Sequence, residues 1–483
     1  MKKITTISLL LAAALGLKAQ YSTPNTGQKY NLDSLVANSG GAVTKSASVY
    51  TFNQDVKISK TDTLEILTNE TIVMGGAVEL NLTGFAFFNP SDSIKITNTQ
   101  GLTYEAIRID SSNSIIRKTI IEFGGGIAIY DASPLIDSCI IRNNADGTRG
   151  AINLFRSNAI IQNSKIHDNR SSAISSGANI ASAPRILNND IRRNVTYNGN
   201  KSQINFGTTG SDTIFIVGNT IVGKYTNAGG IAFLPIGAAQ VVIENNFIDS
   251  NRYGIGMLTG GITSLIKGNT ITNNMIQGNE NLGGSGINFA GASTNTAIVT
   301  DNLITGNLWG VTIQNTASPN LGDLRPSKNS PGLNVIKDNF NNGIEYNLYN
   351  NTPDSIYAQN NDWGRLTQIG SDSTIVDKND DPSLGVVLSS PLNVITSVKE
   401  TVAQANILTA YPNPATSNLT IKNTTASNLS KVSLYNMLGE QILSFDLKSN
   451  ESKTMDVSNL SKGIYFINYM DGDKATSKKV IVQ

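Results

Sequence analysis

The sequence predicts an all-β protein in which a long solenoid of short stacked strands precedes a small antiparallel β-sandwich. The first observation is composition: 59 of the 483 residues are Asn, 43 are Gly and only 15% are charged. Such a chain favours turns and short strands over helices. The second is a short motif that recurs every 23 to 33 residues through the middle of the chain. The third is a change near residue 407, where longer alternating strands begin.

The charge balance and the Cys and His counts exclude several classes of function. The 37 Lys and Arg residues are matched by 36 Asp and Glu residues, and this near-neutral balance argues against a nucleic-acid-binding protein, whose surface is basic. There is one Cys (Cys139) and one His (His167). These counts exclude an intramolecular disulfide, a Cys/His zinc cluster and any mechanism that needs two histidines. No cofactor is indicated.

The beginning of the chain, residues 1–19, is predicted to be a signal peptide. Two lysines precede an apolar run, Ile7 to Leu17, that is too short to span a bilayer, and cleavage is expected before Gln20. No later stretch has 18 uninterrupted apolar residues, so the mature chain is expected to lack a transmembrane segment. Residues 20–48 are polar and are expected to form a poorly ordered leader or a cap.

The repeated unit is Asn or Ser, any residue, Ile, two further residues and Asn. Its Ile residues are Ile140, Ile166, Ile191, Ile221, Ile248, Ile271 and Ile304. Two other apolar runs, such as Ile152–Leu154 and Val241–Ile243, complete each period. Three short alternating strands per period indicate a solenoid over residues 49–391, whose turns bury their apolar sides by stacking. The recurring Asn suits the corners, because it tolerates left-handed backbone and stacked copies can form a ladder.

These units resemble the parallel β-helix (PbH1) repeats of the pectin-lyase-like superfamily. The resemblance implies a right-handed single-stranded parallel β-helix of about ten or more coils. It implies no single function, because that superfamily includes lyases, hydrolases, epimerases, tail spikes and adhesins. The turn Asn361–Gly364 is similar to the closing segment of many secreted members. Trp363 is therefore expected to pack in an end cap, the alternative being a ring that stacks on sugar.

After a linker predicted at residues 392–406, residues 407–483 form a separate unit. Tyr411, Pro412, Asn413 and Pro414 open it, Gly439 and Gly463 mark two later strand motifs, and Lys478–Val482 closes it. By pattern alone this unit is a small antiparallel sandwich of five to seven strands.

In their order these motifs resemble the type A C-terminal sorting domain of the type IX secretion system of Bacteroidota. The resemblance implies export across the inner membrane by the signal peptide and across the outer membrane by the type IX machinery. Residues 407–483 are the expected contact with that machinery. The cargo is then released or attached to surface lipopolysaccharide. A plain carbohydrate-binding sandwich is the alternative.

One group of charged residues is a candidate binding site. Arg142, Asp168 and Arg193 are each the second residue after a repeat Ile, and His167 and Arg192 are each the first. These five residues, here called the basic patch, have Arg170 nearby. The hypothesis is a site for an anionic sugar whose carboxylate or sulfate is neutralised by Arg. The alternative is a surface ion ladder in which Asp168 lies between two arginines.

Other candidate sites are weaker. The middle residues of the second strand in each period are small and neutral, apart from Glu345 at one end. They offer no paired carboxylates for acid–base catalysis. The loop Asp377–Asp381 is a candidate calcium site, but a solvated acidic loop is favoured. Asn342–Glu345 faintly resembles a motif of an alginate- and chondroitin-lyase family whose other basic motifs are not visible.

These observations predict a secreted or cell-surface β-helix protein. It is expected to bind extracellular or surface polysaccharide, or to act as a structural or adhesion module. The alternative is a polysaccharide lyase or glycoside hydrolase that acts on an acidic polysaccharide. The poor supply of acid–base groups favours binding over catalysis.

Overall fold

The computed structural model describes residues 20–145, 149–328, 330–393, 408–424, 429–436, 440–471 and 474–483. The predicted signal peptide, Gly439 and most of the predicted linker lie outside the described residues. The chain divides into two compact units, residues 1–395 and 396–483, which are described separately. None of the helices in the described ranges is long and apolar enough to cross a membrane.

The first unit is a parallel β-helix, as the repeat predicts. The chain passes through sheets A, B and C in turn, once per coil, and strands of successive coils pair in parallel. Within the described residues sheet A has 14 strands: Gln20–Ser22, Asp55–Ile58, Glu79–Leu82, Ala106–Asp110, Ile127–Tyr130, Ile152–Phe155, Ile174–Ser176, Ser202–Phe206, Gly229–Phe233, Ile255–Met257, Ser285–Phe289, Trp309–Gln314, Leu348–Asn351 and Ile375–Val376.

Sheets B and C are built in the same way. Over the same described ranges sheet B has 12 strands: Lys29–Tyr30, Thr63–Ile66, Phe85–Phe88, Ile115–Arg117, Leu135–Asp137, Ile160–Gln162, Arg185–Leu187, Thr213–Val217, Ala239–Glu244, Ile262–Lys267, Thr296–Thr300 and Ser318–Asn320. Sheet C has 13 strands in the part of the chain that the structure describes: Val43–Ser46, Val49–Phe52, Thr71–Met74, Ile94–Asn98, Thr119–Glu122, Ile140–Arg142, Lys165–His167, Asp190–Arg192, Thr220–Val222, Phe247–Asp249, Thr270–Thr272, Leu303–Thr305 and Val335–Ile336.

Alternation along each strand separates the core from the surface. Asp55–Ile58, Thr63–Ile66 and Thr71–Met74 each bury their second and fourth residues, because neighbouring side chains in a strand point to opposite faces. On sheet C the inner positions form a continuous stack of fully buried side chains: Ile141, Ile166, Ile191, Ile221, Ile248, Ile271, Ile304 and Ile336. Burial of each contributes about 2 kcal/mol, and it depends on the neighbouring coils that cover it.

The register at the start of this stack differs by one residue from the predicted register. Ile141, and not Ile140, aligns with Ile166 of the next coil. Two adjacent Ile residues made either choice compatible with the apolar pattern. The corner amide decides between them, because Asn144 rather than Asn143 is buried and bonded to the next coil.

Two ladders of buried amides run through the corners, as the recurring Asn predicts. In ladder one, between sheets B and C, each side-chain NH2 donates to the amide oxygen of the next coil over 2.8 to 3.0 Å. Its members are Asn189, Asn219, Asn246, Asn269, Asn302, Asn334 and Asn361. Ladder two, between sheets C and A, contains Asn144, Asn169, Asn194, Asn251, Asn274, Asn307 and Asn339.

The left-handed corner residue is the one before each ladder Asn, which corrects the conformational role predicted for the recurring Asn. Asn245 has a φ of 55° and precedes Asn246, and Asn273 has a φ of 53° and precedes Asn274. The first residue of each pair therefore turns the backbone, and the second closes hydrogen bonds inside. Asn, Asp and Gly are common at the first position because they adopt the left-handed region at low cost.

Ladder two contains one coil without a suitable Asn. The sequence places Lys224 there, and Gln203 from the strand Ser202–Phe206 supplies the missing amide. Its Oε1 accepts a hydrogen bond from Nδ2 of Asn194 at 3.2 Å, and its Nε2 donates to Oδ1 of Asn251 at 2.9 Å. Because Gln is one methylene longer than Asn, it reaches the corner from the adjoining strand.

The two ends of the β-helix are irregular. At the first end the helix Leu32–Asn38 buries Leu32 and Leu35, and Val43–Ser46 pairs antiparallel with Val49–Phe52. At the other end lie the strand pairs Phe340–Asn341 with Ile344–Glu345 and Ile356–Tyr357 with Val387–Leu388, and the helix Gln368–Asp372. Trp363 is fully buried in this closing segment, so its ring offers no surface to a sugar.

The second unit is an antiparallel β-sandwich, as predicted. One sheet contains Leu408–Tyr411, Asn418–Asn423 and Ser452–Asp456. The other contains Gln441–Leu447, Leu429–Asn436, Gly463–Asp471 and Lys474–Val482. Their core includes the buried side chains of Leu419, Ile421, Leu434, Ile467 and Val480.

Candidate functional site

The basic patch lies on the outer face of sheet C and at its corner. Arg142, His167 and Arg192 are register neighbours in three successive coils, about 4.8 Å apart along the helix axis. Asp168 and Arg193 follow their strands at left-handed corner positions. The predicted alignment of Arg142 with Asp168 is wrong, because the register shift described above puts Arg142 beside His167.

The arginines of the patch are paired with carboxylates. Arg193 donates to both oxygens of Asp168, at 2.9 and 2.7 Å, and Nδ1 of His167 lies 2.7 Å from the same carboxylate. The hydrogen bonds from Arg193 lower the pKa of Asp168, and the bond from His167 adds to them against the effect of burial. Arg192 donates to Asp190 within its own strand.

Arg142 belongs to a separate ion pair. It donates to Glu122 at 2.8 Å, and Lys95 lies 2.9 Å from the other oxygen of that carboxylate. Burial raises the pKa of Glu122, but the hydrogen bonds from Lys95 and Arg142 outweigh it and hold the pKa below its usual value. The patch is thus an array of paired charges on one face of the helix.

The central outward lane of sheet A is small and neutral from Ala128 to Thr312, as the sequence predicts, but Tyr349 is different; Arg108 precedes this stretch and Val376 follows it. The central outward lane consists of Ala128, Asn153, Ser175, Asn205, Ala232, Gly256, Asn288, Thr312 and Tyr349. Tyr349 occupies the position that the sequence pattern gave to Glu345. Glu345 instead lies in a hairpin, is buried, and pairs with Arg365.

Three aromatic rings meet at the end of this lane. The rings of Trp309 and Tyr346 have centroids 4.7 Å apart, and those of Trp309 and Tyr349 have centroids 5.7 Å apart with an interplanar angle of 24°. All three side chains are half-buried, so part of each ring faces solvent. These three residues are called the aromatic platform.

The central lane leads to the platform along the outer face of sheet A. At Gly256 two side chains pack over the lane, since a Cβ there would lie 2.9 Å from the Tyr253 ring and 3.1 Å from Leu258. Beside the platform the hydroxyl groups of Ser285 and Thr312 are buried and lie 2.9 Å apart, so they hydrogen-bond each other.

The sequence analysis missed the platform, although a signal for it exists. Tyr253, Trp309 and Tyr346 each lie two residues before the first buried apolar residue of a sheet A strand. An aromatic residue at the same place in three repeats indicates a shared face. Tyr349 could not be found in this way, because the sequence pattern placed Glu345, and not Tyr349, at the outward position of its coil.

The acidic loop at residues 377–381 is bonded to its own backbone. Asp377 is buried and accepts hydrogen bonds from the N–H groups of Asn379 and Val387, both at 2.8 Å. Asp381 accepts from the N–H and the hydroxyl of Ser383. Among the described residues, no group of three or more His, Cys, Asp or Glu side chains is placed to hold a metal ion.

The motifs of the C-terminal unit meet in space. Asn413 accepts a hydrogen bond from the N–H of Ile481 at 2.8 Å and donates to the carbonyl of Lys479 at 3.3 Å. The opening motif is thereby bonded to the closing strand. Tyr411 is 49% exposed, and Gly463 begins the strand that pairs with the same closing strand. Pro412 and Pro414 flank Asn413 in the opening motif.

Comparisons with known proteins match two parts of the chain. Residues 409–483 match the secretion system C-terminal sorting domain family. Residues 258–369, which include the whole aromatic platform, match a family described as a protein of unknown function, DUF1565. A comparison with curated protein sequences gives no match.

A solved structure with a similar chain path is the crystal structure of a mutant of the periplasmic alginate epimerase AlgG. The two chains are 13% identical, and the match covers 70% of this chain and 80% of the epimerase with a TM-score of 0.34. Similarity at this level says nothing about activity or ligand.

The strand pairing and the C-terminal family match together identify the protein class. The sorting domain implies contact with the type IX secretion machinery and export to the cell surface or the extracellular space. The chain is an exported parallel β-helix protein with a C-terminal sorting domain of the type IX secretion system.

Proposed function

We propose that this protein binds an extracellular polysaccharide along the outer face of sheet A, with the aromatic platform as the main contact. The observation that carries the proposal is the cluster of Trp309, Tyr346 and Tyr349 beside the small, neutral stretch of the central lane. We also propose that residues 1–19 are a signal peptide that is cleaved during export, and that the protein belongs to a bacterium of the Bacteroidota. A surface adhesion module is the role that remains if no glycan binds.

The chemistry of sugars fits such a surface. The C–H groups of a pyranose ring form an apolar face that packs on an aromatic ring, and the hydroxyl groups around it need hydrogen-bond partners. The platform supplies the rings, and the half-buried amide of Asn288 lies beside them on the central lane. Because the central lane from Ala128 to Tyr349 carries no formal charge, a neutral polysaccharide is the preferred class.

The experiment is a binding assay with the full chain and a panel of polymers: cellulose, xylan, mannan and laminarin as neutral probes, alginate and polygalacturonate as acidic ones. We expect at least one neutral polymer to bind, and Trp309→Ala to weaken binding at least tenfold. Phe247→Ala is the matched control, since Phe247 is an aromatic residue on sheet C with 41% exposure. Equal binding by the Trp309 variant, or no neutral polymer bound, would reject the proposal.

A second candidate function is turnover of an acidic polysaccharide at the basic patch. The observation that favours it is the contact of His167 with Asp168, in a lane where His167 lies between Arg142 and Arg192. An imidazole held by a carboxylate can accept a proton at its other nitrogen. The neighbouring guanidinium groups can neutralise a uronate carboxylate, although each already binds a carboxylate of the protein.

In a lyase reaction His167 would take the proton from C5 of the uronate. The electron pair forms the C4–C5 double bond, the glycosidic C4–O bond breaks, and the leaving oxygen takes a proton from water. The test is the ultraviolet absorbance of unsaturated product when the full chain is incubated with alginate or polygalacturonate. Product that disappears in His167→Ala but persists in Lys165→Ala supports turnover; its absence with both polymers excludes this chemistry on them.

A further inference from the structure

A second polar surface lies at the corner between sheets A and B, away from the lanes described above. A hollow of 520 Å³ there is lined by residues of five successive coils, among them Asp131, Ser133, Arg156, Asn158 and Asp212. We call it the corner hollow. It shares none of its lining residues with the aromatic platform or with the basic patch.

The corner hollow exists because a ladder of polar side chains is interrupted. Oδ1 of Asn113 accepts the N–H of Ser133 at 2.8 Å, and Oγ of Ser133 accepts the N–H of Asn158 at 3.2 Å. Oδ1 of Asn158 then accepts the N–H of Ala183 at 3.1 Å. Ala183 offers no side-chain acceptor to the following coil, and Ala181 beside it is equally short, so the surface is recessed at this coil.

One hydrogen bond spans the recessed coil. Nδ2 of Asn158 donates to Oδ2 of Asp212 at 2.8 Å, although the two residues are 54 positions apart in the chain. A second, smaller hollow of 390 Å³ lies against the same pair and is lined by Arg185, Thr213 and Phe215. The guanidinium group of Arg185 stands over the Phe215 ring, 4.7 Å from its centroid.

The charges of the corner hollow favour a neutral ligand. Asp131 is paired with Arg156 by two hydrogen bonds of 2.5 and 2.6 Å. Asp212 has no Lys, Arg or His partner within 4.0 Å among the described residues, so its carboxylate can accept from sugar hydroxyl groups. Its charge is balanced by Arg185, which lines the adjoining hollow with it, so the two hollows carry no net charge that would attract an acidic sugar.

We propose that the corner hollow is a second saccharide site, which binds one neutral pyranose unit through two adjacent hydroxyl groups. One hydroxyl donates to the carboxylate of Asp212, and the neighbouring one is held by the amide of Asn158 and the hydroxyl of Ser133. This mixed set of donors and acceptors matches a vicinal diol, because each hydroxyl both donates and accepts. The proposal does not depend on glycan binding at the aromatic platform.

Saturation-transfer NMR on the full chain tests the corner hollow. The probes are the methyl pyranosides of glucose, galactose, mannose and xylose. A methyl 2-deoxyglucoside is the comparison probe, because it has one fewer vicinal hydroxyl group. We expect transfer to at least one methyl pyranoside, and Asp212→Ala and Asn158→Ala each to weaken that binding at least fivefold. Asp92→Ala is the control for loss of an exposed carboxylate. Circular dichroism of each variant checks that the fold is kept.

Trp309→Ala distinguishes the two glycan proposals. Binding of the methyl pyranoside that survives in the Trp309 variant and is lost in the Asp212 variant supports the corner hollow. No transfer to any methyl pyranoside, or binding unchanged in Asp212→Ala, would overturn it, whatever the polymer assay shows. Loss of binding in Trp309→Ala alone would assign the monosaccharide to the aromatic platform and would also overturn it.

Discussion

The side-chain NH2 and the backbone N–H of Asn269 both donate to the side-chain oxygen of Asn302, each at 2.9 Å. Asn246 makes the same two bonds to Asn269. Each amide of ladder one thus satisfies a buried backbone N–H of the preceding coil as well as its own side chain. The hydrogen bonds at the corners therefore fix the register between stacked coils, which apolar burial alone would leave free to shift.

Replacement of Asn269 by Ala should destabilise the β-helix by about 3 kcal/mol, because it leaves several buried polar groups without partners. These include the carbonyl of Ile243, which accepts from Asn269 at 2.9 Å, and both donors of Asn246. Urea unfolding measures the loss. Asn273→Gly is the control, since Asn273 is an exposed left-handed residue of a neighbouring corner. A midpoint no lower than that of the control would contradict the role of the ladder.

Replacement of Leu333 by Asn should stabilise the protein by about 1 kcal/mol. Leu333 has a φ of 63° at a corner where the equivalent residues of other coils are mostly Asn or Gly. A left-handed conformation is costly for Leu and cheap for Asn. Leu333 is 39% exposed, so little apolar burial is lost. Leu303→Asn, at a strand residue of 36% exposure, should bring no such gain in the same thermal unfolding measurement.

The ion pairs of Glu122 should make stability depend on pH. Because Lys95 and Arg142 hold the pKa of this buried carboxyl below its ordinary value of 4.5, the pairs stabilise the folded state above that pH. The contribution is lost as the pH falls through the lowered pKa. We expect Glu122→Gln to cost about 1–2 kcal/mol at pH 7 and progressively less below pH 4.5.

Thermal unfolding between pH 3 and pH 7 (about the range over which carboxylates titrate) measures this difference. Glu280→Gln, at an exposed residue, is the control for removal of one negative charge. A difference between wild type and Glu122→Gln that stays constant over this range would show that the pairs do not stabilise the fold.

A bulky charge on the central lane should block glycan binding. Asn288 lies on this lane next to Thr312 of the following coil, so Asn288→Arg is expected to cover the surface beside the platform. We expect at least a tenfold loss of polymer binding. Asn153→Arg is the matched control, because Asn153 occupies the same lane several coils away. Binding by Asn288→Arg as strong as that of the unsubstituted chain would show that the glycan does not lie beside the platform.

The architecture could be predicted from the sequence because each coil repeats the same physical requirements. Inward Ile residues and corner Asn residues recur with the period, and they appear in the structure as the Ile stack and the two ladders. The register failed at Ile140 and Ile141, since the apolar pattern accepts either residue. The hydrogen bond of Asn144 resolves this choice, and it becomes visible only when neighbouring coils are aligned.

Candidate sites were harder to predict than the fold. The structure places Arg142, His167 and Arg192 in one lane, although Arg142 is one residue away from its predicted alignment, and the sequence could not show that Glu122 and Asp190 bind two of the arginines. The aromatic platform and the pair of Asn158 with Asp212 depend on loops of unequal length between coils. Spacing along the chain does not fix which side chains such loops bring into contact.

The position of Gln203 in ladder two has a consequence for the substitutions that the interior can accept. The coil without a corner Asn keeps its neighbours joined, because a longer side chain from the adjoining strand occupies the position. The hydrogen-bonded spine is thus a property of stacked coils rather than of any single residue. A corner Asn is therefore replaceable wherever the adjoining sheet A strand carries a side chain that is long enough to join the amides of both neighbouring coils.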